Sequence, residues 1–351
     1  MSVKRYYGYS VIGHGASLYA NFEMTDVTKS VFNMYENFNK ETFDSVPNVP
    51  VEMISFSDMV YNAHNQTYTF TRNPIIEKRE LTRSNDDVVV LGFSGGLDSV
   101  FQALRLIDSG YKVVLFHLKG VNTYENGQGT KHSIHIADKL KQRGVEYVEC
   151  EIKKTNDKSN AYKQHWPENP IKNQLILAMM IDYCIVNGYH KISLGDDFDL
   201  SIDDAMVGVN LTDSRELTQE FLKCICSLVS GIEFIPIEKG QDKLKRLKTI
   251  EQYGLLDDYY SCVLPGRFNA TRHESNEQKY NVTLSKNNCG CSCRKCAMHN
   301  LLMHYGGVKI FPDEFIESCW KVMWKNAHSA DYKFFSPDLS LETRIKNLFE
   351  Y

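Results

Sequence analysis

The chain alternates short apolar runs with longer segments in which apolar residues recur every three or four positions. The apolar runs predict buried strands at 88–93, 112–118, 145–152, 190–195 and 232–237. The longer segments predict helices at 97–109, 130–143, 170–187 and 213–229, and several of them end in glycine. Strands and helices in this order predict an α/β fold with a doubly wound parallel sheet and helices on both faces.

The two ends of the chain have different patterns. Residues 1–86 are rich in Tyr, Phe and Asn and include alternating stretches at 51–58 and 66–72, which predict a small strand-containing domain. Helical patterns return after about residue 240, and we interpret the polar stretch 267–288 between them as a loop. The predicted organisation is an N-terminal accessory domain (1–86), an α/β domain (87–240) and a helical C-terminal region (241–351).

Composition narrows the class of protein. With 351 residues and 42% apolar residues, the chain is long enough for one large core or two smaller ones. A net charge of −4 disfavours a broad nucleic-acid groove. The N-terminus has no sustained apolar core, and no apolar run approaches the roughly 18 residues of a membrane span. We therefore expect a soluble, cytoplasmic protein that has no membrane partner.

The turn after the first strand of the α/β domain is Ser94-Gly95-Gly96-Leu97-Asp98-Ser99. Adjacent glycines let the backbone approach a ligand, and the N–H groups of the turn and helix start form an anion cradle. The two serines add hydroxyl donors. The aspartate is unexpected, because a carboxylate repels phosphate unless it binds Mg²⁺ or caps the turn. Nucleotide binding is our interpretation, and an ordinary glycine-rich turn is the alternative.

Five of the ten cysteines are candidates for one metal site. Four lie within eight residues, and Cys262 precedes them; the four are Cys289, Cys291, Cys293 and Cys296. With no export signal, metal ligation explains this cluster better than disulfides do. Four thiolates make a closed tetrahedral zinc site. Free surface thiols are the alternative, and three nearby histidines are further candidates: His273, His299 and His304.

The stretch SGGLDS resembles the SGGxDS loop of the N-type ATP pyrophosphatases, also called PP-loop enzymes, and it lies in the strand–turn–helix context that this motif requires. The resemblance implies an adenine-nucleotide alpha-hydrolase-like fold of the Rossmann type. It also implies ATP and Mg²⁺ as cofactors, with AMP transferred to a carboxylate or carbonyl oxygen. It assigns catalytic roles to Ser94, Asp98 and Ser99, and ATP binding to Phe93, Ser94, Gly95, Gly96, Leu97, Asp98 and Ser99.

Within this superfamily the chain looks most like the 7-cyano-7-deazaguanine synthases. The segment 126–132 shares a Gly-Gln and a basic pair with that family, and Lys172-Asn173 stands where the family has Arg-Asn. Gly195 is followed by acidic residues, and the segment 211–216 resembles the family's Tyr-Pro-Asp-Cys-Arg-Pro. The substrate-binding residues that the resemblance implies are Lys172, Asn173, Gly195, Asp197, Asp213 and Arg215.

The family also carries a zinc site with an early Ser-Cys followed by Cys-Gly-x-Cys-x-x-Cys. Ser261-Cys262 and the run CGCSCRKC (289–296) resemble it, with one extra residue in the run and a longer first gap. The resemblance implies Zn²⁺ held by Cys262, Cys289, Cys293 and Cys296, with Cys291 as the alternative ligand.

The implied activity is an ATP-dependent, AMP-forming ligase reaction that converts 7-carboxy-7-deazaguanine to an amide and then a nitrile with ammonia. A related amide ligase, which joins a carboxylate to an amine or a protein partner, is a first alternative. The N-terminal domain or the loop 267–288 would then recruit the partner. A tRNA-modifying enzyme is disfavoured by the absence of excess basic charge. A non-catalytic nucleotide-sensing module is the alternative from another class, and a homodimer stays open.

Overall fold

The computed structural model describes residues 7–10, 16–20, 52–56, 59–62, 67–70, 87–119, 128–154, 172–195, 232–236, 243–260, 262, 266–285, 288–325 and 332–350. The strands are β1 (Tyr7–Ser10), β2 (Ala16–Ala20), β3 (Glu52–Phe56), β4 (Met59–Asn62), β5 (Thr67–Phe70), β6 (Val88–Gly92), β7 (Lys112–Lys119), β8 (Glu146–Lys154), β9 (Lys191–Leu194) and β10 (Glu233–Phe234). The helices are α1 (Leu97–Asp108), α2 (Gln128–Leu140), α3 (Lys172–Asn187), α4 (Lys243–Gln252), α5 (Gly266–Tyr280), α6 (Arg294–Tyr305), α7 (Asp313–Lys325), α8 (Tyr332–Phe335) and α9 (Leu341–Glu350).

Five parallel strands form the centre of the fold, in the order β8–β7–β6–β9–β10. The first strand of the set, β6, lies in the middle, so the chain runs outward on one side through β7 and β8 and then crosses to β9 and β10. This arrangement confirms the predicted parallel α/β sheet. The predicted helix 213–229 lies outside the described residues.

Helices cover both faces of the sheet, as the sequence predicts. On one face, Val89 and Leu91 of β6 share a buried core with apolar residues of α1, α2 and the C-terminal helices. Side chains alternate along a strand, so Gly92 faces the opposite side. A Cβ atom added there would lie 3.3 Å from the sulfur of Met180, so α3 covers that face. The fold is therefore doubly wound.

Residues before the α/β region add strands of their own. β2 pairs antiparallel with β8 and with β1, which extends the central sheet to seven strands. The strands β3, β4 and β5 form a separate antiparallel sheet. The division of the chain into domains at residues 86 and 240 stays a prediction.

The C-terminal helices pack on the same core as the sheet. Leu247 of α4, Leu301 of α6 and Phe315 of α7 are fully buried beside Leu104 of α1. This packing carries α4 and α6 to the start of α1, where the glycine-rich turn lies. No helix in the described part of the chain has the length and apolar character needed to cross a membrane.

The interpretation of residues 267–288 as a loop is wrong over most of its length, because α5 covers Gly266–Tyr280. Residues 270–280 contain neither glycine nor proline and are rich in good helix formers such as Glu, Gln, Lys and Arg. The stretch has too few apolar residues to show a helical period. Among residues 270–280, whose side chains the structure describes, the buried residue is instead the polar Asn276, which is 8% exposed.

Candidate nucleotide and metal site

The two serines of the SGGLDS turn cross-link it from within. The Ser94 and Ser99 hydroxyl oxygens lie 3.1 Å apart. The Gly96 N–H donates to the Ser94 hydroxyl at 3.2 Å, and the Ser99 hydroxyl donates to the Gly96 carbonyl at the same distance. The turn is therefore a small closed ring between β6 and α1, which holds its N–H groups and hydroxyls at the helix N-terminus, where anions bind.

Two other segments close around the glycines. The Ser133 hydroxyl of α2 donates to the Ser94 carbonyl at 2.9 Å, and the Tyr260 N–H donates to the Gly95 carbonyl at 2.8 Å. A Cβ atom on Gly95 would lie 3.2 Å from the Cα of Ser133, and Gly95 has a φ of +73°. This position therefore favours glycine for its backbone conformation and for the closeness of its neighbour.

Gly195 brings the end of β9 against the turn. A Cβ atom on Gly195 would lie 2.6 Å from both the N and the Cα of Ser99. The C-terminal ends of β6 and β9 thus meet at the point where the strand order reverses, which is where open α/β sheets bind ligands. Of the residues that the sequence associates with the substrate, Gly195 lies directly beside the turn.

Asp98 is balanced by a buried arginine that the sequence analysis missed. Its Oδ1 lies 2.5 Å from Nη1 of Arg246 on α4, and the Arg246 side chain is 3% exposed. Burial raises the pKa of Asp98, but the charges of Arg246, Lys295 and Lys243 and the hydrogen bond from Arg246 outweigh it, so that the pKa lies below its ordinary value. Asp98 is therefore ionised, and Arg246 compensates the carboxylate that the sequence left unexplained in an anion cradle.

Four cysteines lie close together, and the first of them, Cys262, is in the segment that follows α4. The Sγ atoms of Cys262, Cys289, Cys293 and Cys296 all lie within 4.8 Å of one another, and all four residues are buried. The Sγ atoms of Cys262 and Cys293 are 3.9 Å apart. This is too far for a disulfide of about 2.05 Å. It matches the separation of about 3.8 Å that follows from zinc–sulfur bonds of about 2.3 Å in a tetrahedron. The donor set therefore fits one zinc ion.

Cys293 also caps α6. Its Sγ accepts a hydrogen bond from the Cys296 N–H at 3.4 Å. Hydrogen bonds with Cys262, and then with Cys289 and Cys296, lower the pKa of the Cys293 thiol. A helix N-terminus also favours a thiolate. The position therefore supplies the ionised sulfur that metal binding requires.

Helix α5 braces the cysteine turn from outside. The Asn276 side-chain amide donates to the Cys289 carbonyl at 2.8 Å and to the Ser292 hydroxyl at 2.9 Å. Gly290 has a φ of +71°, and a Cβ atom there would lie 2.9 Å from the Asn276 Cβ. Cys291 points away from the other thiols, with its Sγ 3.5 Å from the Asn276 Oδ1. The structure thus separates Cys291 from the four clustered cysteines.

The three nearby histidines have other neighbours. The Nδ1 atoms of His273, His299 and His304 lie 2.9 Å from the Asn288 carbonyl, 3.1 Å from the Tyr259 hydroxyl and 3.1 Å from the Phe311 nitrogen, respectively. Burial, together with the charges of Lys295 and Lys243, lowers the pKa of His299 to about 3. His299 is therefore neutral, and among the described residues the candidate metal group consists of the four cysteines alone.

One short segment joins the cysteine cluster to the glycine-rich turn. Tyr260, which bonds Gly95, precedes Cys262 by two residues. Before it, Asp258 accepts hydrogen bonds from His135 Nε2 at 2.9 Å and Lys139 Nζ at 2.5 Å, both on α2. The candidate metal centre and the candidate nucleotide turn are therefore neighbours that share one stretch of backbone.

The other residues that the sequence associates with the substrate are less well defined. Lys172 and Asn173 begin α3. Asp197, Asp213 and Arg215 lie outside the described residues. Their part in a substrate pocket stays a prediction.

No family model matches the chain. No curated protein matches it either. Among solved structures, the U34-tRNA thiolase NcsA from Methanococcus maripaludis with its [4Fe-4S] cluster is 16% identical, with a TM-score of 0.33 over 56% of this chain and 68% of that one. NMN synthetase from Francisella tularensis is 14% identical, with a TM-score of 0.30 over 73% of this chain and 88% of that one. Likenesses this remote carry no information about the reaction.

Proposed function

We propose that the protein is a PP-loop enzyme that uses ATP to transfer AMP to a carboxylate and then forms a carbon–nitrogen bond. The observation that carries this proposal is the SGGLDS turn. Its internal hydrogen bonds close it into a ring, and it lies where the strand order of the parallel sheet reverses. Its N–H groups and serine hydroxyls are the donors that a pyrophosphate group needs. The glycines at positions 95 and 195 let Ser133 of α2 and the end of β9 approach the turn closely.

In the proposed first step, the acceptor carboxylate oxygen bonds to the α-phosphorus of ATP. The bond between that phosphorus and the bridging oxygen breaks, and its electron pair leaves with pyrophosphate, which the turn stabilises. In the second step, the nitrogen of ammonia or an amine bonds to the acyl carbon, AMP leaves, and the amine loses a proton to solvent. Asp98 is the residue that would hold Mg²⁺, which when bound neutralises charge on the phosphates.

We further propose 7-carboxy-7-deazaguanine as the acceptor, with the amide as the first product. A second ATP then transfers AMP to the amide oxygen with release of pyrophosphate, the C–O bond breaks as AMP leaves, and the nitrogen loses both protons to solvent, which gives 7-cyano-7-deazaguanine. The order of Lys172-Asn173, Gly195 and the segment 211–216 along the chain supports this substrate. The four clustered thiols support it too, because they resemble the family's zinc pattern apart from one extra residue and a longer first gap. Four protein ligands leave no open position on the metal, so the zinc has a structural role. A ligase that joins such a carboxylate to an amine of a protein partner shares the same first step.

The test is pyrophosphate release with mass spectrometry of the products. Zinc-loaded protein receives ATP, Mg²⁺, the carboxylate and ammonium, and the matched variants are Asp98→Asn in the turn and the exposed Asp87→Asn before β6. We expect acid-dependent AMP and pyrophosphate from wild type and Asp87→Asn but not from Asp98→Asn. The product mass distinguishes amide from nitrile.

Two other results would change the assignment. ATP binding with no turnover on any carboxylate would favour the nucleotide-sensing module. Turnover with a different carboxylate, and none with the deazaguanine acid, would retain the enzyme and exclude the proposed substrate.

A further inference from the structure

A cavity of about 630 Å³ lies among the C-terminal helices, with α7 and α9 contributing most of its walls. Both of these helices pack against α6 and against α8, which close the remaining sides. Tyr305, which lines the cavity, is the last residue of α6, whereas Cys293 caps the start of that helix. The 12 residues of α6 separate its two ends by about 18 Å. The cavity is therefore well separated from the candidate metal centre, and none of the described residues that line it belongs to the SGGLDS turn.

The walls of this cavity are mostly apolar. They include aliphatic and aromatic side chains of α7, α8, α9 and the segment between the last two, namely Ile316, Trp320, Trp324, Phe335, Pro337 and Leu341. Pockets that bind small molecules have volumes of about 300–1,000 Å³, apolar and aromatic walls, and a few polar groups that orient the ligand. The cavity has the size and the walls of such a pocket, so its polar groups indicate the class of ligand.

Arg344 of α9 supplies a positive charge at the wall of the cavity. Its guanidinium carbon lies 5.1 Å from the ring centroid of Trp320 on α7, and Trp320 is buried. The Nε of Arg344 is also buried, and it has no hydrogen-bond partner among the described residues. Buried donors without an acceptor are rare in folded proteins, because each one costs stability. The guanidinium is therefore suited to an acceptor that a ligand brings into the cavity.

Two further hydrogen-bond donors belong to the end of α6. The Tyr305 hydroxyl accepts a hydrogen bond from Nε1 of Trp320 at 3.2 Å, which leaves its own proton to donate. His304 Nδ1 accepts a hydrogen bond from the Phe311 N–H at 3.1 Å. Burial lowers the pKa of His304 despite the nearby charge of Asp313, so the imidazole is neutral and carries its proton on Nε2. Both side chains line the cavity, which is therefore rich in donors.

The charges around the cavity favour a ligand with a single negative charge. Lys321 and Glu317 form an exposed ion pair at 4.0 Å, and the charge of the exposed Asp313 equals that of Arg344 with the opposite sign. The ionised residues that line the cavity therefore sum to zero, which disfavours a phosphate dianion. A carboxylate matches the fork of one guanidinium. The indole rings and the guanidinium are flat, so an aromatic ring packs well against them.

We propose that this cavity binds a small aromatic monocarboxylate, whose carboxylate accepts hydrogen bonds from Arg344 and Tyr305 and whose ring packs among the apolar walls. Trp320 links the two donors, because its ring lies beside the guanidinium and its Nε1 bonds the Tyr305 hydroxyl. The site is additional to the nucleotide and metal sites and does not rest on the proposed function. Two of the three tryptophans of the chain line the cavity, so ligand entry changes the intrinsic fluorescence.

The first test measures the binding of 3-phenylpropionate to the full chain by tryptophan fluorescence and ligand-observed NMR. The matched compounds are 3-phenylpropionamide, which keeps the ring and lacks the charge, hexanoate, which keeps the charge and lacks the ring, and phenyl phosphate. For an acid of this size we expect a Kd of about 1 mM. We expect the amide to bind about tenfold more weakly, because it lacks the charge-assisted hydrogen bonds. Hexanoate and phenyl phosphate should each bind at least about fivefold more weakly than the acid.

The second test compares two arginines that each lie over an aromatic ring. Arg344→Gln removes the charge from the cavity, and the control Arg143→Gln removes an exposed arginine outside it, whose guanidinium lies 4.6 Å from the ring centroid of Tyr253. We expect Arg344→Gln to weaken the acid at least about tenfold and to leave the amide within about twofold of wild type. Tyr305→Phe should weaken the acid about fivefold. Arg143→Gln should change neither affinity, and thermal unfolding is recorded for every variant.

Four results would overturn the proposal. They are no binding of the acid up to about 20 mM, equal affinities for acid and amide, hexanoate binding as tightly as the acid, and wild-type acid affinity in folded Arg344→Gln. The last result would mean that the acid binds elsewhere on the protein. Tighter binding of acetyl-Gly-Gly-Phe than of 3-phenylpropionate would overturn the small-molecule assignment and give the site to the carboxyl end of a peptide. Failure of pyrophosphate release would refute the proposed function and leave all of these measurements unaffected.

Discussion

Replacing Gly195 with alanine should weaken nucleotide binding, because the added methyl group enters the backbone of the SGGLDS turn. Its Cβ would lie 2.6 Å from the N and Cα of Ser99 and 2.9 Å from the carbonyl carbon of Asp98, whereas ordinary contact begins at 3.4 Å. The end of β9 or the start of α1 must therefore move by about 0.8 Å, and no side-chain rotation relieves the contact. Overpacking of this kind costs about 1–3 kcal/mol. A shift near 1 Å in a site lowers activity by up to about 100-fold.

The assay combines urea unfolding with calorimetry using α,β-methylene-ATP. The control is Gly144→Ala, at a glycine with a φ of +80° where an added Cβ atom would meet only open space. That variant should lose about 1–2 kcal/mol through backbone strain and keep its nucleotide affinity. If Gly195→Ala instead has wild-type stability and affinity, then β9 does not press on the turn, and the reasoning from this close approach is refuted.

The cysteine cluster, its brace and the buried histidine give further predictions. Metal analysis should find one zinc per chain, which is lost in Cys289→Ser and retained in Cys291→Ser. The same zinc content in both variants would contradict the assignment of Cys289, and not Cys291, as a zinc ligand. Asn276→Ala should lower the free energy of unfolding by about 1–3 kcal/mol in urea titrations, because it removes two donated hydrogen bonds. The exposed Glu274→Ala should change it by less than about 0.5 kcal/mol. His299 has a folded-state pKa of about 3 against an ordinary 6.5, so the unfolded chain binds the proton first as pH falls. The His299 contribution to stability should therefore drop below pH 6.5 by up to about 1.4 kcal/mol per pH unit, and His299→Gln should show a correspondingly smaller slope than wild type in urea titrations at pH 7, 6 and 5.

The sheet could be predicted because its strands are buried on both faces. Val88 to Leu91 form a continuous apolar run with little exposure, and such a run has few alternatives to a central strand. The turn could be predicted because its glycines and serines are adjacent in the sequence. Local chemistry and local pattern agree at this position, so the sequence alone was sufficient.

Other parts of the site depend on contacts that no local pattern reveals. Helix α5 buries Asn276 rather than an apolar stripe, so a search for apolar periodicity misses it. Arg246 meets Asp98 across 148 positions of sequence. The only local signal for it was the basic run KLKRLK at the start of α4, in which residues three apart share a face. Such runs are usually solvated, so this one became informative only when the fold brought it to the turn.

The turn is far along the chain from two residues that contact it, Arg246 and Tyr260. This separation sets the order in which the parts of the site form during synthesis. During synthesis, β6 and α1 emerge long before α4 and Tyr260, and sequence-distant contacts form late. A nascent chain that ends before residue 243 has the five parallel strands and the turn, but it lacks Arg246 and the backbone donor that closes on Gly95. On the proposed function, nucleotide binding therefore requires residues that are synthesised long after the turn, namely Arg246 and Tyr260.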